Sequence, residues 1–357
     1  MKEAEHILII NPGPLSTFNS VSAFVANDFQ KIRMFHARGI IPKIGWRLST
    51  VQQGTVRIAG ITAFISIARF LRRYSGQRMP ISMEWNAKLL GFLHDIGLFD
   101  LDKKYDLFDW GGTDGGYIAG FTNPDTKIID YIDVPDFLDP RDFIAIEAWK
   151  KDKREDIKRN LKVRTEGIFY SPYQNDRNVQ YLKSLMESNT AELIANSLLH
   201  AREVCFVGLQ RTRYRITIAV SDTGKGFPRT LLNNYPILSD RLKTDDHLMG
   251  ILIASFIKLE KLGEIGLYRT INEIIEVGGW VVINSYNAEI RWERELWNKV
   301  KNWFLFGRLE KTLPDLSILG EIETKSVDKT KILKGYAKKF PSSIPGTRIT
   351  FEIPINV

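Results

Sequence analysis

The sequence predicts an α/β chain built of two units. Three observations lead there. Apolar residues recur at helical spacing in some segments and alternate in others, and the two patterns follow one another along the chain. Punctuating clusters such as Asn11-Pro12-Gly13-Pro14 separate them. At 357 residues the chain is comfortable for two domains, and its 44% hydrophobic and 26% charged content is ordinary for a soluble globular protein.

The elements follow in order. His6 to Ile10 reads as a strand closed by the Asn-Pro-Gly-Pro turn. Ser20 to Arg38 is helical, with Val21, Phe24, Val25, Phe29, Ile32 and Phe35 on one stripe. Thr55 to Ile58 reads as a short strand and Thr62 to Tyr74 as a helix, with Gly76 near its end. Ile81 to Trp85 alternates like a strand, and Asn86 caps a helix that runs through His94. The glycine-rich run Asp109 to Gly120 lacks the Lys-Ser/Thr of a P-loop and reads as a surface turn. Residues 1–140 form the first α/β unit, and 141–164 a charged helical connector. The second unit covers 165–357. In it, Val179 to Ala201, Leu248 to Leu259 and Leu267 to Val277 read as helices, and Cys205 to Leu209, Tyr214 to Ser221, Trp280 to Ser285 and Arg348 to Ile353 as strands.

Composition narrows the setting. One cysteine, Cys205, leaves no intrachain disulfide, which fits a reducing cytoplasm. Ile7 to Ile10 is too short for a secretory signal, and no stretch approaches the roughly 18 apolar residues that span a bilayer. The net charge is +8, unevenly spread: from Asp28 to Arg78 there are ten Lys or Arg against one Asp. Such a stretch is a solvated face or an attraction for nucleic acid or an acidic partner. No zinc-finger or RNP motif accompanies it.

The chemistry concentrates in the second unit. Spacings of four place Glu192, Asn196 and His200 on one helix face, where a carboxylate and an amide suit a hydrated magnesium ion. A strand then runs into Asp222-Thr223-Gly224-Lys225-Gly226, a turn whose glycines let a ligand approach the backbone.

The segment Glu192 to His200 resembles the N-box of the GHKL ATPase superfamily, which covers gyrase, the heat-shock ATPase chaperones, histidine kinases and the mismatch-repair protein MutL. Asp222 to Pro228 matches that superfamily's Asp-x-Gly-x-Gly box, and Gly346-Thr347-Arg348-Ile349-Thr350-Phe351 resembles its closing Gly-Thr strand. Between them, Ile265-Gly266-Leu267 opens a helix in the place of the second glycine box. The resemblance implies a Bergerat-type α/β sandwich over 165–357, a mixed sheet covered by helices, that binds ATP and Mg²⁺. It implies Glu192 as general base or water-orienting group, Asn196 as the Mg²⁺ ligand, and Asp222 as acceptor for the adenine amine, with Thr347 nearby through a water. Gly224 and Gly226 would let the backbone pass the base, and Gly263, Gly266 and Leu267 would face phosphate at a helix N-terminus. His200 is either part of the site or a satisfied helix-end histidine.

The second glycine box departs from the pattern, with Leu262 and Glu264 where glycines are usual. A carboxylate beside a triphosphate is repulsive unless it points away or meets a cation, and Lys258 and Lys261 are the near cations. Residues 57–101 resemble the STAS-like module found before stand-alone domains of this class, which implies a regulatory role and a protein partner, or a homodimer. The expected protein is a bacterial ATP-dependent switch in signalling or defence, with slow hydrolysis. The alternatives are an anti-sigma-type serine kinase and a nucleotide-binding module that does not hydrolyse.

Overall fold

The computed structural model describes residues 7–48, 51, 56–83, 87–111, 125–132, 142–164, 177–240, 242–256, 267–306, 333, 335–340 and 343–355. The first sheet holds β1 (Ile7–Ile10), β2 (Lys43–Arg47), β3 (Met79–Ser82) and β4 (Phe108–Asp109), in sequence order and all parallel. Parallel neighbours need long crossovers. Here α1 (Phe18–Ala37) joins β1 to β2, α2 (Ile58–Ser75) joins β2 to β3, and α3 (Ala87–Asp95) with α4 (Leu98–Tyr105) joins β3 to β4. Thr17 and Ser20 form a reciprocal capping box that starts α1. Gly76, in the left-handed region, ends α2.

The second sheet has seven strands in the order β10-β9-β8-β11-β7-β6-β5. They are β5 (Thr126–Tyr131), β6 (Cys205–Arg211), β7 (Arg215–Ser221), β8 (Trp280–Ser285), β9 (Ala288–Trp292), β10 (Ala337–Lys339) and β11 (Thr347–Pro354). This sheet was expected to be mixed, but each of its described pairings is antiparallel. The reason lies in the connections. Short turns join β6 to β7 and β8 to β9, and β11 returns between β7 and β8 against the direction of both. All parallel pairing is confined to the first sheet, so the chain is α/β with one sheet of each kind.

Helices α5 (Phe143–Arg164), α6 (Arg177–Ala201), α8 (His247–Phe256), α9 (Leu267–Glu276) and α10 (Arg294–Phe306) complete the second unit, with α7 (Gly226–Asn234) following β7. Strand alternation divides the core. Cys205, Val207, Leu209, Ile218 and Val220 point into one cluster with α5, α6, α8 and α9. Phe206 and Ala219, on the opposite face, join a second cluster built around α2.

Helix α2 therefore lies between its own sheet and the back of the second one, and Ile58 to Ala68 is buried without a break. A helix apolar all round is stable only when covered all round. The expected strand at Thr55 to Ile58 is not there: Ile58 opens this helix, and Thr55 lies outside the described residues. Strand β5, which belongs by sequence to the 1–140 segment, pairs with β6 from Thr126–Gln210 to Tyr131–Cys205. The first segment thus lends the second sheet both an edge strand and a covering helix. Among the described residues no helix is long and apolar enough to cross a membrane.

Candidate functional site

Helix α6 carries the Glu192, Asn196 and His200 face. Leu193, Ile194, Ala195 and Leu198 are buried in the core and fix its rotation. The three side chains differ in depth: Glu192 is fully buried, Asn196 half-buried and His200 exposed. All three line one open cleft that also receives Asp222, Gly226, Leu267 and Thr347. Helix α7 forms a further wall with Phe227, Thr230 and Leu231. The cleft holds a cavity of about 180 Å³ that opens to solvent on one side.

Asp222 follows the last residue of β7, beside the start of β11. Its backbone N–H donates to the Thr347 carbonyl at 3.0 Å, and the Thr347 N–H donates back to Asp222 Oδ1 at 3.1 Å. Gly224 N–H donates to the same oxygen at 2.9 Å, and Ser197 Oγ donates to Oδ2 at 2.8 Å. Burial pushes the Asp222 carboxyl up from the usual range, while these donors and the nearby Arg348 guanidinium act against the rise. Two carboxylate oxygens accept about four hydrogen bonds. Three donors leave Asp222 capacity for another, on a residue that lines the cleft. Arg348 is 1% exposed and donates to the Pro345 carbonyl; burial lowers it to about 10.

The glycines hold the turn closed. Gly346 has φ +106°, and a Cβ there would lie 2.0 Å from the Asp222 carbonyl oxygen. Gly224 and Gly226 are expected to let the backbone pass a base, and their missing side chains also make room for the protein. A Cβ on Gly224 would meet Cβ of Ala201 at 2.3 Å, at the end of α6, and one on Gly226 would meet Ser285 and Tyr286. The packing of this turn against α6 and β8 accounts for both.

Glu192 has more partners than the sequence suggested. Arg154 of α5 holds Oε2 at 2.8 Å, and Lys150 of α5 reaches Oε1 at 3.2 Å. The Asn196 side-chain amide donates to that same Oε1 at 2.9 Å. Two cations and an amide compensate a charge that is otherwise costly to bury. A water approaching either oxygen has to compete with them.

Leu267 is the first residue of α9 and lines the cleft, so the start of a ten-residue helix reaches the site. Helix N-termini favour anions. Lys261, Gly263, Gly266 and Glu264 lie outside the described residues. Set against protein families, curated proteins and solved structures, the chain matches none of them.

Among the described residues no group of three His, Cys, Asp or Glu could hold a metal ion. Magnesium usually keeps several waters and rides on substrate phosphates with one or two protein oxygens. The donor set here, the Asn196 side-chain oxygen, suits an ion that arrives with phosphates and does not suit a free one.

Sequence reasoning missed Lys150, Arg154, Ser197 and the α7 wall. The signal for the first two was present: Lys150 and Arg154 stand one turn apart, on one face of the charged helical connector. It also missed His247, buried under β8, with Nδ1 3.2 Å from Ser285 Oγ and its ring stacked on Tyr286 at 4.3 Å.

Proposed function

We propose that this cleft binds ATP with Mg²⁺ and that the chain is a nucleotide-dependent switch of the GHKL type. One observation carries the reading. Four segments far apart in sequence, at Glu192–His200, Asp222–Gly226, Leu267 and Thr347, meet around one cleft. In it a buried aspartate has hydrogen-bonding capacity to spare. Asp222 accepts the adenine amine, Phe227, Leu231 and Ile349 supply apolar surface for the ring, Asn196 gives an oxygen to the metal, and the start of α9 faces phosphate. When bound, Mg²⁺ would neutralise phosphate charge.

Isothermal titration with ATP and Mg²⁺ tests this. Wild type gives a binding isotherm, and Asp222→Asn weakens it at least about tenfold, the worth of a buried charged hydrogen bond. Equal affinities, or no heat from the wild type, would rule the reading out.

A second reading, a module that binds without hydrolysing, is favoured by the occupancy of both Glu192 oxygens. Turnover separates the two. Phosphate release by the wild type that is lost in Glu192→Gln, with binding kept, selects the ATPase; tight binding without release selects the module.

A further inference from the structure

Among the described residues helix α5 enters the cleft through a single side chain, Lys150, which is 5% exposed and lines the cavity beside Glu192 and Asn196. We propose that Lys150 is a phosphate-binding residue, exchanging Glu192 for the terminal phosphate of the bound nucleotide and so coupling α5 to the state of the site. This rests on the adenine-nucleotide reading above and assigns one residue within it.

The two cations on Glu192 are not equivalent. Among the described residues Arg154 alone reaches Oε2, at 2.8 Å. Lys150 shares Oε1 with the Asn196 amide and stands further off, at 3.2 Å. Removing Lys150 from that oxygen leaves Glu192 with one cation and one amide donor, so the carboxylate stays compensated. Removing Arg154 would strip Oε2 of its partner. Lys150 is thus the exchangeable member. Its ammonium carries three donors on a flexible stem, which can swing while the helix stays in place. The helix is fixed, because Ile157 and Leu161 are buried in the core against α6.

Position and charge agree with the exchange. Lys150 and Asn196 are bridged by one carboxylate oxygen, so the ammonium sits next to the amide assigned to the metal. Two cations face one carboxylate there. The only other carboxylate ion-paired to Lys150 among the described residues is Glu147, at 4.0 Å, further off than Glu192 at 3.2 Å. An ammonium that gives up a shared carboxylate oxygen can take a phosphate oxygen in its place.

Titrations of the full chain with ATP, ADP and adenosine, each with Mg²⁺, test the proposal. Lys150→Gln weakens ATP roughly ten- to a hundredfold and leaves ADP and adenosine within about twofold, while Lys150→Arg recovers most of the ATP affinity. Lys150→Gln also disturbs a buried ion pair. The double variant Lys150→Gln/Glu192→Gln, compared with Glu192→Gln alone, repeats the comparison with that charge removed. Unchanged ATP affinity, or equal loss for ATP and ADP in both backgrounds, overturns the role of Lys150. A wild type that binds none of the three ligands removes the nucleotide reading itself, and this inference with it.

Discussion

At the scale of single residues, Gly346 is constrained twice over. Any side chain there meets both a left-handed backbone and the Asp222 carbonyl at 2.0 Å. Gly346→Ala is expected to cost roughly 3 kcal/mol, the sum of strain and overpacking, read from urea unfolding; a loss near zero would show that the β11 entry can shift freely. His247 offers a pH handle. Burial holds it down, from 6.5 to about 4, with Asp245 and Asp246 opposing. Between those values the unfolded chain binds a proton that the folded chain refuses, so stability is complete above pH 6.5 and falls as pH drops toward 4. The contribution is at most about 3 kcal/mol. His247→Gln should flatten the fall in melting temperature across that window, and an unchanged slope would mean that other groups carry it.

At the scale of elements, the contact of α5 with α6 turns on Glu192. Glu192→Ala leaves Lys150 and Arg154 facing each other in a buried site and is expected to cost about 3–5 kcal/mol. The Arg159–Asp156 pair lies on the same helix with side chains 79% and 60% exposed, so Arg159→Ala should leave the unfolding midpoint unchanged. Equal effects of the two substitutions in chemical denaturation would contradict the difference in burial. The contrast also shows why the connector was hard to read. Its charges look alike in sequence, and only packing separates those that serve the site from those that face water.

At the scale of the whole molecule, the two units share material. Helix α2 covers the back of β6 and β7, closely enough that a Cβ on Gly208 would lie 2.3 Å from Thr62 Oγ1. A fragment starting at residue 142 loses α2 and β5 and uncovers Phe206 and Ala219. It is expected to lack a cooperative thermal transition, although it keeps every proposed ligand-binding residue; a sharp melt from that fragment would show that the second sheet stands alone. The basic stretch is likewise partly spent on the fold. Arg72 and Arg78 pair with Asp106, Arg73 pairs with Glu203, and Arg33 donates to the Ser343 carbonyl.

The sequence by itself determined what depends on local pattern. Periodicity marked α1, α6, α9, β7, β8 and β11 to within a few residues, because each buries one face and its apolar residues must repeat accordingly. The spacing of four placed Glu192 and Asn196 on a shared face, and the Asp222 turn announced itself through its glycines. Strands β5 and β9 and helix α7 were not marked, since each is short and takes its stability from a neighbour. Tertiary structure alone decided the pairing of β5 with β6, the burial of α2 between two sheets, and the meeting of Lys150 and Arg154 with Glu192. The physical reason is the same in each case. Those contacts join residues far apart in the chain, and they depend on how helices and sheets stack, which no local repeat encodes.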